Sequence, residues 1–589
     1  MRIILFVCFV FSFGSHAFGQ DVVFRINLAG YPENGPKRAL VLCRKNIDIE
    51  TVELKRIDSQ ETKALKVERL AHTWAPFESS FELDFSEEKT EGEFVIEIPQ
   101  LNLRSEQFSI GPYAAWQEDM LGFMQSQRCG FNPYLKVECH QKDGLSFYGK
   151  VPDSTLVDAR GGWHDAGDQL KYLITGSNAT ARMLLAYQEY PSQFADGKQA
   201  DGLPGANGLP DILDEAIWGL DWLFKLHPEA DVLYHQVADD RDHHGFKLPQ
   251  EDNADYGWGK NDYRPVYAAT GTPQGLGKYK SKATGLANVA GRSAAAMALA
   301  YQIFKDFPEK VDYAKKCLKA AEELYLLGIE KLGYQQGNSF GAPYRYEENT
   351  WADDMEWAAA ELYKSTGQKR YLKDARVFAK EIGTWSWMER DSANHYEMYP
   401  FVNIGHYALW RAGKRKDKAL AKAYFAHNLE KIAEKAGKND YGVGHLFIWC
   451  SNNLAAAAAT EALLYKKMSG SEQYDKLFQN HVNWLLGLNP WGTSMLTGLP
   501  EKADSPEDVH MPFAQILGAR IKGSLVDGPI SSVIYDNMLG ITLSKEDEYA
   551  DFQPDHIRYH DDFADYSTNE PTMDGTADML MLMAHLNQH

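Results

Sequence analysis

A change in hydrophobic period near residue 111 limits the possible folds of this sequence more than any other feature. Up to that point, apolar and polar residues alternate in short runs, and such alternation places one set of side chains on each face of a strand. The clearest runs are 22–28, 39–42, 81–85 and 94–98. They predict a small antiparallel β-sandwich of about seven strands over residues 21–111.

Beyond Pro112 the period becomes that of amphipathic helices. The helix-length segments are 115–128, 178–190, 211–227, 287–306, 313–331, 351–366, 371–383, 417–436, 453–468, 474–487 and 572–587. Almost no strand-like segments separate them, and we find no sequence repeat of fixed period, which argues against a solenoid. About a dozen helices therefore predict helical hairpins closed into a toroid, within a second domain over residues 115–589.

Four long segments without helical periodicity interrupt this second domain. They are 231–286, 333–350, 488–529 and 545–571. Loops of this length in a compact domain usually serve a function, so we expect the binding cleft at these loops.

The first 19 residues have the pattern of a signal peptide. Arg2 precedes an apolar run from Ile3 to Phe11, and Ala17-Phe18-Gly19 resembles a small-residue cleavage site. The run is shorter than the roughly 20 residues that span a bilayer, and no later segment resembles a span. We expect export to the periplasm, the cell surface or the medium, with no membrane-spanning helix.

The formal net charge of −21 argues against two classes of partner, nucleic acid and anionic lipid. An acidic surface repels nucleic acid and anionic lipid, whereas it is compatible with a neutral or cationic substrate. The 14 Trp and 31 Tyr suit stacking on sugar rings, although a large aromatic core uses the same residues. Five cysteines remain after the signal peptide, and an odd, sparse set predicts no disulfide framework. The oligomeric state has no signature in the sequence.

The stretch from Gly161 to Asp168 reads Gly-Gly-Trp-His-Asp-Ala-Gly-Asp, a combination that few structural roles require. Glycines let the backbone approach a ligand closely, and two aspartates three residues apart can converge on one water molecule. Trp163 either offers a flat apolar face to a sugar ring or packs beneath the cleft. The alternative is an Asx-rich loop before a helix that Asn178 or Thr180 caps.

Four residues near this stretch carry the side chains that zinc prefers, namely Cys129, Cys139, His140 and His164. Two thiolates and two imidazoles close a tetrahedral site, so the predicted zinc is structural and tethers the loop that carries Asp165. One alternative is a pair of buried thiols with two surface histidines. Another is metal-dependent hydrolysis at the zinc, which requires an open coordination position.

A second acidic stretch, Tyr559 to Glu570, precedes the last predicted helix. Glu570 lies among residues able to shield it from water, and shielding raises the pKa of a carboxyl as a general acid requires. A solvated loop is the alternative explanation for Asp561, Asp562 and Asp565. A buried acid paired with a distant carboxylate that activates water is the scheme of glycoside hydrolysis.

Six motifs along the chain point to one family. They are Asn27-Leu28-Ala29-Gly30-Tyr31, Gly161 to Asp168, Leu209-Pro210-Asp211-Ile212-Leu213-Asp214-Glu215, Asp353-Asp354-Met355 with Trp357-Ala358-Ala359, Leu486-Gly487-Leu488-Asn489-Pro490 and Asp565-Tyr566-Ser567-Thr568-Asn569-Glu570. Over nearly the whole mature chain the sequence resembles glycoside hydrolase family 9, largely β-1,4-glucanases. The resemblance implies an immunoglobulin-like β-sandwich followed by an all-α (α/α)6 barrel.

By position, the resemblance implies that Asp168 is the general base, that Asp165 helps to hold the attacking water and that Glu570 is the general acid. The expected result is inversion at the anomeric carbon. The resemblance also supports zinc at the four thiol and imidazole ligands named above. Calcium is commonly bound as well, and Asp353 and Asp354 lie where some members supply its ligands. An acidic helix start is the other explanation for these two residues.

Substrate contacts are expected at His510, Tyr566, His243 and Trp163, and a solvated charged loop is the alternative for His243. Two departures from the family bear on the identity of the sugar. The run Val509-His510-Met511-Pro512 keeps a His but lacks the Arg that usually follows two residues later, and Thr576 replaces an Asn near the start of the last helix. Neither change affects Glu570, the expected acid, or Asp168, the expected base.

The resulting prediction is an inverting, endo-acting hydrolase of β-1,4-glucan linkages in cellulose, mixed-linkage glucan or xyloglucan. Two alternatives stay open. The first is an exo-acting glucosaminidase on chitosan oligosaccharides, which the missing Arg permits. The second is a non-catalytic glycan-binding protein.

Overall fold

The computed structural model describes residues 21–588, apart from 276–278, 343, 391–392 and 394–395. The predicted signal peptide, residues 1–19, lies outside the described residues. Within them, no helix combines the length and the apolar character that crossing a membrane requires.

The N-terminal unit is built from eight strands, with bounds β1 Val22–Arg25, β2 Arg38–Cys43, β3 Val52–Arg56, β4 Thr62–Arg69, β5 Ser79–Asp84, β6 Gly92–Ile98, β7 Leu103–Arg104 and β8 Phe108–Ile110. Hydrogen bonds join them in the order β1-β2-β5-β4-β3-β6-β7, and β8 also pairs with β6. Every pair is antiparallel, as predicted. The two-residue strand β7 is too short to leave an alternating pattern in the sequence.

Strand β2 is buried along its whole length because it lies between two apolar cores. Alternate residues of a strand point to opposite faces. Ala39, Val41 and Cys43 belong to the core of the sandwich, whereas Leu40 and Leu42 belong to the core of the helical domain. The continuous apolar run at 39–43 therefore marks a strand that is covered on both faces.

Trp74 anchors the sandwich in the helical domain. Its ring lies 4.5 Å from the ring of His556, 4.8 Å from Tyr441 and 6.0 Å from Phe447, measured between centroids. Aromatic contacts at such distances stabilise an interface beyond their buried area. Arg38 adds charged hydrogen bonds across the same interface, including one of 2.6 Å to the backbone oxygen of Asp440.

Helices make up most of the remaining chain, with bounds α1 Gln117–Ser126, α2 Leu173–Glu189, α3 Asp211–Leu226, α4 Ala287–Phe304, α5 Val311–Glu330, α6 Ala352–Thr366, α7 Lys369–Ile382, α8 Ile404–Ala412, α9 Arg415–Ala436, α10 Ser451–Ser469, α11 Asp475–Leu485, α12 Pro512–Leu517, α13 Ser532–Tyr535 and α14 Met573–Gln588. Each predicted helical segment corresponds to one of them. Helix α8 was not predicted, because nine residues buried on most sides have no clear amphipathic period.

The start of α2 differs from its prediction. The helix begins at Leu173, five residues before Asn178, because its first turn is fully buried and shows no polar periodicity. Asn178 and Thr180 lie inside the helix and do not cap it, so the alternative explanation of the Gly161–Asp168 stretch, as a loop before a helix that they cap, is wrong.

The helices form two concentric layers. Six of them, buried on nearly all sides, make the inner ring: α2, α4, α6, α8, α10 and α14. The ring packs in the order α10-α14-α2-α4-α6-α8, and Asn403 before α8 donates to Glu461 of α10 at 3.3 Å. The outer layer consists of α1, α3, α5, α7, α9 and α11. This arrangement confirms the predicted (α/α)6 barrel.

Short strands organise the loops of the barrel, with bounds β9 Phe131–Asn132, β10 Val137–Glu138, β11 Asp143–Phe147, β12 Thr155–Leu156, β13 Lys171–Tyr172, β14 Tyr234–Val237, β15 Arg264–Ala268, β16 Leu525–Val526, β17 Ile530–Ser531, β18 Ile557–Arg558 and β19 Pro571–Thr572. Five of them form one sheet in the order β12-β11-β15-β14-β13, and β16 pairs with β19. Strand β13 leads directly into α2 and β19 leads directly into α14, so strand pairing fixes the segments before these two inner helices.

Candidate active site

A cleft of about 490 Å³ opens where several of these leading segments meet. Its lining residues are Gly167, Asp168, Gln169, Asp242, His243, Gly245, Phe246, Lys247, Tyr344, Trp449, His510, Gly540, Tyr566 and Glu570. Each of the four long loops singled out in the sequence contributes to this lining. The three remaining contributions come from Gly167–Gln169, Trp449 and Gly540.

The loop before α2 presents Asp168 to the cleft. Its Oδ1 accepts a hydrogen bond of 2.7 Å from the backbone N–H of Leu170, which fixes the carboxylate relative to its own loop. Oδ2 lies 3.4 Å from Nε2 of His243. The carboxylate is therefore held on both sides, and it faces the space where a substrate binds.

Glu570 faces the same cleft from the segment before α14. Its Oε1 accepts a hydrogen bond of 2.9 Å from the backbone N–H of Gly167, next to Asp168. Burial raises the pKa of the Glu570 carboxyl well above its usual range, and the nearby charges of Asp527 and Asp168 raise it further. The side chain thus has the environment of a proton donor.

A second hydrogen bond ties the two segments together, because the backbone N–H of Met573 donates to the backbone oxygen of Asp165 at 3.0 Å. The Asp165 side chain is 2% exposed and lies beneath the cleft. Its oxygens accept hydrogen bonds from the hydroxyls of Thr175 and Tyr346. The water-holding role expected for Asp165 stays a prediction.

His243 lies at the mouth of the cleft beside Asp168. Its ring packs edge-on against Tyr344 at 4.9 Å between centroids. Burial lowers the pKa of His243, but the hydrogen bond to Asp168 and the charges of Asp242 and Asp240 outweigh burial and raise it overall. The alternative of a solvated loop does not describe His243, since its imidazole contacts the candidate base.

His510 and Tyr566 form part of an aromatic wall along the cleft. The ring of Phe246 lies 4.7 Å from His510, His510 lies 6.1 Å from Tyr566, and Tyr566 lies 5.6 Å from Trp449. The Tyr566 hydroxyl donates to the backbone oxygen of Leu539 at 2.7 Å, which holds the loop that carries Gly540. Such a wall suits the apolar faces of sugar rings.

Trp163 does not line the cleft, which corrects its assignment as a substrate-binding residue. Its side chain is 1% exposed, and its Nε1 donates to Glu215 at 2.7 Å. The ring fills the space over Gly219, where an added Cβ would lie 2.4 Å from it. Trp163 therefore packs beneath the loop and supports it.

Phe246, Lys247 and Tyr344 are among the lining residues that were not predicted as site residues. The only signal for them was their position in long loops. Lys247 pairs with Asp242 at 2.9 Å and with Asp252 at 2.8 Å. Its charge is therefore neutralised by protein carboxylates.

The aspartates before Glu570 are structural. Asp561, Asp562 and Asp565 are each at most 6% exposed, so the interpretation as a solvated acidic loop is wrong. Asp565 accepts hydrogen bonds from His560, Ser567 and Thr568. These bonds fold the segment that presents the acid.

Thr576, one of the departures from the family pattern, lies at the start of α14. Its hydroxyl donates to the backbone oxygen of Thr572 at 2.8 Å and accepts from the backbone N–H of Leu525 at 3.0 Å. It therefore binds β16 to the acid segment and does not face the cleft.

Cys129, Cys139, His140 and His164 come together as predicted, with ligand atoms all within 4.8 Å of one another. Nδ1 of His140 and Nε2 of His164 lie 3.2 Å apart and face the same point. His164 also bonds through its backbone N–H to Gln127 at 2.8 Å. The two thiols and two imidazoles fit a closed zinc site, and the alternative with two surface histidines is wrong for His164, which is 2% exposed.

A chain of polar contacts joins this cluster to the cleft. Nε2 of His140 lies 3.1 Å from Asp252, and Lys247 bridges Asp252 to Asp242. Asp242 then accepts a hydrogen bond of 2.7 Å from the backbone N–H of Gln169. The cluster and the loop of the candidate base are therefore braced together.

Asp353 and Asp354 lie in a second cluster, with Glu348, in which the three carboxylates are buried and within 4.8 Å of one another. Arg292 occupies part of it, pairing with Glu348 at 2.7 Å and with Asp354 at 2.8 Å. Asp353 Oδ1 and Asp354 Oδ2 have no hydrogen-bond partner among the described residues. Burial and the charge of Glu348 raise the pKa of Asp353 to about 7.

Gly167 leaves no room for a side chain between the two halves of the site. An added Cβ would lie 2.3 Å from the backbone oxygen of His510 and 3.0 Å from Oε1 of Glu570. We expect Gly167→Ala to lower kcat/KM about 10- to 100-fold, because displacing the reacting groups by a fraction of an ångström is costly. Steady-state kinetics tests this, with Gly122→Ala as the control, since no atom lies within 4 Å of a Cβ there. Equal activities of the two variants would contradict the expected crowding.

Comparisons with known proteins agree with this geometry. The model of "Glycosyl hydrolase family 9" matches residues 113–583, and that of the "Cellulase N-terminal ig-like domain" matches residues 20–102. Endoglucanase 15 of Oryza sativa subsp. japonica is 27% identical over 496 residues, which is 78% of this chain and 73% of that protein.

Solved structures resemble the whole chain. A metagenome-derived glycoside hydrolase family 9 endoglucanase superposes with a TM-score of 0.74 at 25% identity, covering 96% of this chain and 99% of the other. A Zn-binding triple mutant of the family 9 endoglucanase J30 gives a TM-score of 0.72 at 23% identity, covering 94% of this chain and 99% of the other.

Proposed function

The chain belongs to glycosyl hydrolase family 9, and on that premise we propose that it is an inverting, endo-acting hydrolase of β-1,4-linked glucans. The observation that carries this proposal is the placement of Asp168 and Glu570 on one cleft, joined through the Gly167 N–H. Membership in a family of glycoside hydrolases supports an enzyme over a non-catalytic glycan-binding protein. Its endoglucanase relatives support the β-1,4-glucan as substrate.

In the proposed reaction a water molecule attacks the anomeric carbon while the bond to the leaving sugar oxygen breaks. Asp168 accepts the proton of the attacking water, and Glu570 donates its proton to the leaving oxygen. Burial and the charges of Asp527 and Asp168 raise the pKa of Glu570, which favours the protonated form that the donor needs. Attack from the face opposite the leaving group converts a β linkage into an α product.

In this proposal the aromatic wall binds the sugar chain, and His243 orients the base. Trp449, Tyr566 and Phe246 offer ring faces to successive sugars. His243 holds the Asp168 carboxylate while the substrate excludes bulk water, and His510 contributes its imidazole to the same wall.

We propose that the cluster of Cys129, Cys139, His140 and His164 holds a structural zinc ion. A closed set of four ligands, braced to the cleft through Asp252 and Lys247, supports this assignment. A bound zinc would hold the loop of Asp168 in place. The closed ligand set argues against hydrolysis at the metal, which needs an open position.

Metal removal gives a direct test of that assignment. Chelation is expected to lower the free energy of unfolding by about 3 kcal/mol, as for a ligand present at about 100 times its dissociation constant. Zinc content and thermal unfolding measure this without reference to turnover. Cys129→Ser should lose the metal, whereas Cys43→Ser, a buried cysteine of the sandwich, should keep it. Retention of zinc by both variants would refute the ligand set.

Calcium at Asp353 and Asp354 remains a proposal, supported by the two carboxylate oxygens that lack partners among the described residues. Export is also a proposal, supported by the signal-peptide pattern of residues 1–19.

Hydrolysis assays on a panel of carboxymethylcellulose, mixed-linkage glucan, xyloglucan and chitosan test the substrate. We expect mixed oligosaccharides from a β-1,4-glucan, with the α anomer as the first product by NMR. Monomer released only from chitosan would instead establish the exo-acting glucosaminidase, which the missing Arg after His510 permits. A β-configured first product would refute inversion.

A further inference from the structure

Asp527 is a buried carboxyl that directly adjoins the acid segment but that the proposed reaction does not use. It follows strand β16, and its side chain is 0% exposed. Its backbone N–H donates to the backbone oxygen of Glu570 at 2.9 Å. Asp527 directly follows β16 and Glu570 directly precedes β19, so the two residues lie side by side just beyond the paired ends of these strands.

The side chain of Asp527 binds the other wall of the cleft. Oδ2 accepts a hydrogen bond of 2.8 Å from Nε1 of Trp449, and Oδ1 accepts one of 3.1 Å from Sγ of Cys450. The backbone oxygen of Asp527 accepts a further bond of 2.9 Å from the N–H of Asn452 at the start of α10. Asp527 therefore holds together the start of α10, the Trp449 indole and the segment that carries Glu570.

We propose that Asp527 is a positioning residue for the general acid, which orients the Trp449 indole in the cleft and places a buried negative charge behind Glu570. This inference rests on the proposed function, because it assigns Glu570 as the acid. Asp527 does not line the cleft, so it acts through its neighbours.

Hydrogen bonding indicates which of the two carboxyls carries the charge. Both oxygens of Asp527 accept from fixed donors, which favours its ionised form. Glu570 accepts one backbone N–H and otherwise faces the cleft. Burial raises the pKa of both groups, and the charge of Asp527 raises the pKa of Glu570 further. In this proposal the negative charge resides on Asp527, which accepts more fixed hydrogen bonds, and the proton resides on Glu570, where the reaction needs it.

Other charged or titratable groups also face this pair. Asp168, Asp165 and Tyr344 lie near Glu570, and Asp574, Asp565 and Cys450 lie near Asp527. None of them is changed in the Asp527→Asn variant, so a shift in its pH profile reports on Asp527.

The test compares pH profiles of kcat/KM for the parent and Asp527→Asn. Without the negative charge, Glu570 loses its proton more easily, so the alkaline limb should move to lower pH by about 1 unit. Cys450→Ser is the matched control, because a hydroxyl can still donate to Oδ1 while the charge remains, and its alkaline limb should stay in place. An unshifted limb in Asp527→Asn would overturn the proposal.

An activated substrate separates positioning of the acid from general damage to the fold. An aryl β-cellobioside with a dinitrophenolate leaving group needs no proton from Glu570. The loss of kcat in Asp527→Asn should therefore be several-fold smaller on this substrate than on a glucan. Equal losses on both substrates would show a structural role only.

The contact between Asp527 and Trp449 can be tested without measuring enzymatic activity. Acrylamide quenching of tryptophan fluorescence should increase in Asp527→Asn, and the increase should vanish when the same change is made in a Trp449→Phe background. An increase that persists in that background, or none at all, would contradict the orienting role. A parent protein inactive on every glucan would instead refute the proposed function, and the quenching result would still stand.

Discussion

Replacing Glu570 with Gln is expected to reduce kcat on a β-1,4-glucan by about 10²- to 10⁴-fold, the usual contribution of a positioned general acid. The amide has the same shape and can still accept the Gly167 N–H, so the geometry of the site should survive. Because the ionised form of this buried carboxyl is disfavoured in the folded protein, the melting temperature should not fall. Steady-state kinetics and thermal unfolding measure both effects.

The exposed residue Glu501 provides the matched control for this change. It pairs with Lys522 at the surface and lies outside the cleft, so Glu501→Gln should keep the parental kcat. On the dinitrophenyl cellobioside the Glu570→Gln variant should recover most of its activity, since that leaving group departs without a proton. Parental activity of Glu570→Gln on glucan would remove this residue from the mechanism.

Replacing Asp168 with Asn is expected to reduce kcat by a similar factor, about 10²- to 10⁴-fold, for a different reason. The amide cannot accept a proton from water, whereas it can still accept the Leu170 N–H through its oxygen. The loss should therefore be the same on glucan and on the activated cellobioside, because both reactions need the attacking water.

Asp312→Asn is the control for the base, since the Asp312 side chain is 97% exposed and does not line the cleft. A small nucleophile such as azide, added to the Asp168→Asn variant, should restore product formation without a base. Recovery of Asp168→Asn on the activated substrate alone would identify Asp168 as an acid and contradict the assignment.

The two hydrophobic periods predicted the architecture because each domain buries one face of most of its elements. The second half of β5, residues 81–84, and amphipathic helices such as α7 therefore left clear patterns. The inner helix α8 did not, since a short helix that is buried on most sides has no polar stripe. The two-residue strands of the loops depend on tertiary contacts that no local pattern encodes.

The site was predictable where chemistry requires rare residue types together. The four zinc-type ligands and the carboxylates Asp168 and Glu570 fall in this class, and the structure brings each group together. The orientation of a large side chain was not predictable, as Trp163 illustrates, because its neighbour Gly219 lies 56 residues away in the sequence. Asp527 was not predicted because its side-chain partners Trp449 and Cys450 lie 78 and 77 residues away in the sequence.

The insertion of Trp74 among the aromatic rings of the barrel has a practical consequence for protein engineering. A truncated barrel expressed without the sandwich would expose Tyr441, Phe447 and His556 to water as an aromatic surface patch. Such a fragment would be prone to self-association during production. Chimeras that exchange the sandwich for another domain should therefore carry a replacement for this tryptophan, or should recode the exposed aromatic residues as polar ones.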